Sequence, residues 1–173
     1  MIGSNTQTNG GKERSWRENS DALSDISTTL NSALADMFTL YFKTKNFHWH
    51  VTGPHFRDYH LLFDEQASQI FVATDAVAER VRKIGGATIR SVTQIARLAR
   101  LSDSNQDCVT SIDMLAELRR DNERLTEYLR EAHLICTDYE DVASASLLET
   151  LIDESERRGW SLFETTRQAD GSH

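Results

Sequence analysis

Beyond the polar residues 1–20, apolar side chains recur along this chain at steps of three and four, the spacing that lays one stripe along a helix. Leu23, Ile26, Leu30, Leu34, Met37 and Tyr41 make the first stripe, and His48 falls at its end. Gly53 and Pro54 interrupt the pattern, and so short a break makes the flanking helices antiparallel neighbours. The second stripe runs through Phe56, His60, Phe63, Ala67, Ile70, Thr74, Val77, Val81 and Ile84 and is closed by Gly85 and Gly86. Residues 89–101 have the spacing of a short extra helix, and the turn-rich Ser102-Asp103-Ser104-Asn105 follows. A third long helix carries Leu115, Leu118, Leu125, Leu129, Ala132 and Cys136, and a fourth carries Leu147, Leu148, Leu151, Ile152, Trp160 and Phe163. The prediction is an all-α bundle of four long helices, with a short fifth in a crossover link between the second and third.

A chain of 173 residues that is 39% apolar buries one sizeable core and leaves no room for a second full domain. The expected division is a flexible tail over residues 1–20, where Trp16 is an isolated apolar residue, a bundle over 21–167, and a short tail over 168–173. One proline and eight glycines fit long helices better than strands and turns. No stretch approaches a membrane span and the N-terminus lacks the apolar core of a signal peptide, so a soluble, cytoplasmic protein is expected. Cys108 and Cys136 form no metal or redox motif and read as buried thiols in a reducing compartment. The formal charge of −8 argues against a surface that binds polyanions everywhere and suits cation uptake.

The candidate chemistry lies between His48 and Glu79. His60 with Glu79, and Asp64 with Asp75, are pairs that share one midpoint, between Gln69 and Ile70. On a continuous helix His60 and Glu79 lie roughly 28 Å apart, so they cannot hold one ion within a single chain. Two antiparallel copies related by a two-fold axis near Gln69 and Ile70 bring His60 and Asp64 of one chain opposite Asp75 and Glu79 of the other. Two identical sites about 22 Å apart result. Imidazole and carboxylate ligands of this mix suit a redox iron or a related divalent metal. Asp64, Asp75 and Glu79 share the flank of the second helix with Leu61, Ser68, Phe71 and Val72. Taken singly these acids read as solvated helix charges, and His48 and His60 as packed histidines. Taken together, acids clustered beside apolar residues repel one another unless a cation offsets them.

Other candidates are weaker. His50 and His55 flank the Gly53-Pro54 turn and read as solvent-exposed loop histidines, with a peripheral metal site as the alternative. Trp49 and Trp160 read as packing residues, with electron donation to radicals as the alternative. Glu149, Asp153 and Glu156 share a face of the fourth helix and form either an acidic entry path for metal or a solvated acidic face.

The run His48-Trp49-His50-Val51 with Gly53, then His60, Asp64, Asp75, Glu79-Arg80 and the closing Gly85-Gly86, resembles the Dps family, the ferritin-like DNA-binding proteins from starved cells. The similarity extends from about residue 21 to 163. His50 departs from the family's usual asparagine. No Glu-x-x-His pair occurs, the pattern expected for di-iron sites inside one bundle, so ordinary ferritin or bacterioferritin is the poorer match.

The resemblance implies a ferritin-like four-helix bundle in which His48, His60 and Asp64 come from one subunit and Asp75 and Glu79 from its two-fold mate. It also implies a ferroxidase that oxidises Fe(II) to Fe(III), with hydrogen peroxide preferred over oxygen, and stores ferric mineral inside a hollow homododecamer built from two-fold dimers. Protection of DNA and a place in the nucleoid belong to the same family picture. Direct DNA binding is the least supported part of it: residues 1–20 carry Lys12, Arg14 and Arg17 against Glu13 and Glu18, few phosphate contacts per tail. The alternative from another class is a nucleoid-associated structural protein with little or no ferroxidase activity. A smaller helical bundle holding zinc or manganese is a third reading.

Overall fold

The computed structural model describes residues 20–169. Five helices follow one another: α1 (Ser20–His50), α2 (Phe56–Lys83), α3 (Val92–Leu98), α4 (Ser111–Asp138) and α5 (Val142–Ala169). The expected N-terminal tail, with Trp16, Lys12, Arg14 and Arg17, lies outside the described residues except for Ser20. So does most of the short C-terminal tail.

α1 and α2 pair as one hairpin, α4 and α5 as a second, and α1 packs on α4 to join them. α2 and α5 touch sparsely. The long link between α2 and α4 crosses the bundle and lays α3 against α1, so the four long helices have the ferritin-like connection. The stripes read from the sequence point inward: Ile26, Leu30, Leu34, Leu40, Phe47, Phe63, Ile70, Val77, Leu115, Leu118, Leu125, Leu129 and Leu148 form the buried core.

The turns follow from local chemistry. Gly53 has φ +108°, and its carbonyl accepts the Phe56 N–H at 3.0 Å to start α2. At the far end Gly85 has φ +98°; its N–H donates to Arg82 and that of Gly86 to Val81, the paired bonds of a Schellman stop. A Cβ on Gly86 would lie 2.3 Å from Ser27 Oγ, so a glycine is needed where the link passes α1. Arg80 then ties the end of α2 to the α4–α5 turn, donating to Ser144 Oγ and to Asp141 Oδ1.

Several expectations are corrected. The extra helix is shorter than 89–101 because Ser91 caps it, accepting from the Gln94 N–H, and Ala99 turns extended. Phe56, placed on the core stripe, is 46% exposed because it opens α2 at the rim. Trp160, placed on the α5 stripe, is 64% exposed: Leu148, Leu151, Ser155, Arg158 and Leu162 make the inward face instead. Trp49 is also exposed, edge-on to Phe42 at 6.1 Å, so neither tryptophan is core packing. Cys108 is exposed in the segment before α4, while Cys136 is buried as expected.

Periodicity also hides buried charge. Asp36, fully buried on α1, accepts from the Arg100 and Leu101 backbone N–H groups and from the Arg100 guanidinium. This single carboxylate pins the crossover link to the bundle. Lys43, also buried, pairs with Asp121 at 2.7 Å and Glu117 at 3.0 Å on α4.

Candidate metal centre

His48 lies in the last turn of α1 and His60 in the second turn of α2, on opposite sides of the hairpin. Their rings stack with centroids 3.7 Å apart and planes 24° apart. His48 Nδ1 lies 2.8 Å from the His60 carbonyl oxygen, and His60 Nδ1 lies 2.8 Å from the His48 carbonyl oxygen. A carbonyl oxygen can only accept, so each Nδ1 carries a proton and donates it. In the neutral ring each Nε2 then keeps its lone pair free, the tautomer a metal ligand needs. The two helix ends thus hold two imidazoles in register before any ion arrives.

Asp64 follows His60 by one turn, and its Oδ1 stands 3.9 Å from His48 Nε2. Lys45, one turn before His48, donates to the same Oδ1 at 2.7 Å. That hydrogen bond, more than any other contact, holds the Asp64 carboxyl below the usual carboxylate range. Lys45 also lies 5.9 Å from the Trp49 ring centre. Phe56 covers one side of His60, with ring centres 4.9 Å apart.

Asp75 and Glu79 are elsewhere. Both are exposed on α2, three and more turns beyond Asp64, and Glu79 is engaged by Lys83 at 2.8 Å. The Lys83 hydrogen bond lowers the Glu79 carboxyl below its ordinary value. By helical rise Asp75 is roughly 22 Å from His60, so one chain does not bring the five predicted residues together. Among the described residues, no three His, Cys, Asp or Glu side chains converge to hold an ion. Yet the flank that carries Asp75 and Glu79 is apolar: Leu61, Phe71 and Val72 are each more than half exposed there.

Comparison with known proteins fits this architecture. A ferritin-like domain model matches residues 27–170. An uncharacterized low temperature-induced protein of Nostoc sp. is 38% identical over 77% of this chain and 75% of its own length. A DNA protection during starvation protein of Halobacterium salinarum is 30% identical over 79% of this chain and 76% of its own. The chain belongs to the Dps family. Dps from Thermosynechococcus elongatus superposes with a TM-score of 0.82 at 28% identity, covering 86% of this chain and 94% of that one.

Other predicted residues of this Dps-family chain fall outside the His48–His60 cluster. His50 is the last residue of α1, with Nδ1 on the Asn46 carbonyl at 2.8 Å, and His55 caps α2 without a side-chain hydrogen bond. Both are exposed. Glu149, Asp153 and Glu156 do share an exposed face of α5, but Glu149 pairs with His133 at 3.1 Å and Glu156 with Arg130.

Lys45 is the residue that sequence reasoning missed. Its place three residues before His48 puts both on one face of α1, which the sequence does show. Its choice of Asp64, nineteen positions away, depends on the hairpin geometry, which the sequence does not show.

Proposed function

We propose that this Dps-family protein takes up Fe(II), oxidises it and retains the ferric product within a shell of identical copies. The observation that carries the reading is the mutual clamp of His48 and His60, which presents two free Nε2 atoms beside the Asp64 carboxylate. Two nitrogens and one carboxylate are half a coordination sphere for iron. The other half comes from Asp75 and Glu79 of a second chain, antiparallel across the exposed Leu61–Phe71–Val72 flank. Burying that flank gives the dimer its hydrophobic driving force, about 25 cal/mol per Å² of apolar surface covered.

In this scheme His48 and His60 bind Fe(II) as neutral ligands, and Asp64, Asp75 and Glu79 compensate the charge gained as it becomes Fe(III). Two Fe(II) each give one electron to hydrogen peroxide; its O–O bond breaks to two hydroxides, which leave as water once protonated. Oxygen is the slower oxidant in this reading. Lys45 neutralises Asp64 while the site waits, and Fe(II) must displace its ammonium from Oδ1. The assembly is a dodecamer of two-fold dimers, and Glu149, Asp153 and Glu156 mark a path for incoming cations.

Protection of DNA follows from removing Fe(II) and peroxide together, without tight contact to the duplex. A gel shift at low and moderate salt tests that part: a stable complex at moderate salt would contradict it. The main test is Fe(II) oxidation by peroxide in the iron-free protein and in a His60→Ala, Asp64→Ala variant of unchanged particle size. The variant should lose the protein-dependent rate; an unchanged rate rejects the reading.

A further inference from the structure

A second site is marked by Arg158, on the inward face of α5. This residue keeps only 5% of its exposure. Its Nε donates to Asn122 Oδ1 at 2.9 Å, yet its buried Nη1 has no hydrogen-bond partner. No carboxylate among the described residues forms an ion pair with it; Glu154 acts only at longer range. Burial lowers the guanidinium to about 10, which still leaves it charged at neutral pH. A buried guanidinium without an ion-pair partner is a costly arrangement, and a bound anion would offset that cost.

Arg158 lines a recess of about 270 Å³ where α2 and α5 face each other, together with Gln66, Gln69, Glu65, Arg157 and Ser161. The sparse contact between α2 and α5 leaves this space open. Its walls combine these polar groups with the apolar Leu62 and Trp160. Gln66 spends its amide on a long 3.4 Å bond to the Arg158 carbonyl, so that group is loosely held. Glu65, at the rim, accepts from Gln69 at 3.2 Å and has acceptor capacity to spare.

We propose that this recess binds inorganic phosphate, with Arg158 and Arg157 as cationic donors, Gln66 and Ser161 as neutral donors, and Glu65 accepting the proton that phosphate keeps at neutral pH. Charge-assisted bonds from a guanidinium fork to an oxyanion are the strong kind, and burial strengthens them further. Glu65 sets the specificity. Sulfate has the same shape but carries no proton at neutral pH, so it meets an unshared repulsion at that carboxylate. None of these residues is a proposed iron ligand; Glu65 follows Asp64 in the chain and Gln69 lies near the proposed two-fold axis.

The test is equilibrium dialysis of radiolabelled inorganic phosphate against the full-length, iron-free protein, with sulfate as competitor. One phosphate per chain should bind saturably, and sulfate should compete at least about tenfold less well than unlabelled phosphate. Arg158→Gln should lose binding by a similar factor or more. Glu65→Gln, an exposed change that leaves the core intact, should bring sulfate close to phosphate. Absence of saturable binding overturns the proposal. So do equal competition by sulfate in the parent protein and unchanged selectivity in Glu65→Gln.

Discussion

The rings of His48 and His60 are each oriented by the other residue's backbone, not by its side chain, because both Nδ1 atoms donate to main-chain carbonyls at 2.8 Å. Truncating one ring leaves intact the carbonyl that orients the other. His48→Ala should therefore remove one ligand without disordering the second, and anaerobic Fe(II) affinity should fall at least about 10-fold, the loss that even removal of an outer-shell partner brings. His60→Ala should cost a similar factor. An anaerobic titration of both variants and of the His48→Ala, His60→Ala double variant checks this, and an effect of His48→Ala equal to that of the double variant would show that the rings fail together.

Lys45 makes a different demand. Its hydrogen bond depresses the Asp64 carboxyl below the ordinary 3.8, so the pair's contribution to stability is present above that value and fades only as pH falls through the lowered one. Asp64 is half exposed, and the contribution is small. Lys45→Met should move the Asp64 titration upward, read from its carboxyl carbon by NMR. The same change should tighten Fe(II) binding by freeing Oδ1. A titration that stays in place would show that the contact is not held in solution.

The buried Lys43–Asp121 pair, with the half-buried Glu117 beside it, should be structural. Burial raises the Asp121 carboxyl despite Lys43 beside it, a sign of how poorly solvated the group is. Lys43→Met removes the ion-pair partner of Asp121 and Glu117 and should cost about 3–5 kcal/mol in denaturant unfolding. Because Asp121 has a raised folded value, the loss should shrink as pH falls and the acid takes up its proton. A loss independent of pH would assign the cost to packing.

These charges also mark the limit of what the sequence displayed. The four long helices, the Gly53-Pro54 hairpin and the Gly85-Gly86 stop were legible because each depends on neighbours within a turn or two. Asp36 with Arg100, and Lys43 with Asp121, are 64 and 78 positions apart. On a helical wheel Asp36, Lys43 and Asp121 are merely polar residues on an apolar face, and Arg100 lies on no helix at all. In the candidate centre the ligand types and their symmetric spacing could be read directly. The carbonyl clamp and Lys45 could not, since both arise where two helix ends meet.

The two thiols should behave oppositely. Burial pushes the Cys136 thiol up to about 12, so it stays protonated and unreactive at neutral pH, whereas Cys108 is exposed. A chromogenic disulfide reagent should titrate one thiol per chain in the native protein and a second only after unfolding. Rapid reaction of both would show that α4 opens near Cys136.

The central claim is that each metal centre is shared by two chains, and subunit complementation tests it most directly. One variant carries His60→Ala with Asp64→Ala, the other Asp75→Ala with Glu79→Ala. Each assembled alone should have no working centre. Co-assembled at random, half of the two-fold dimers are mixed and each mixed dimer regains one intact centre of two, so Fe(II) oxidation should return to about a quarter of the parent rate. No recovery in verified mixed particles, or full activity in either variant alone, would contradict the shared site.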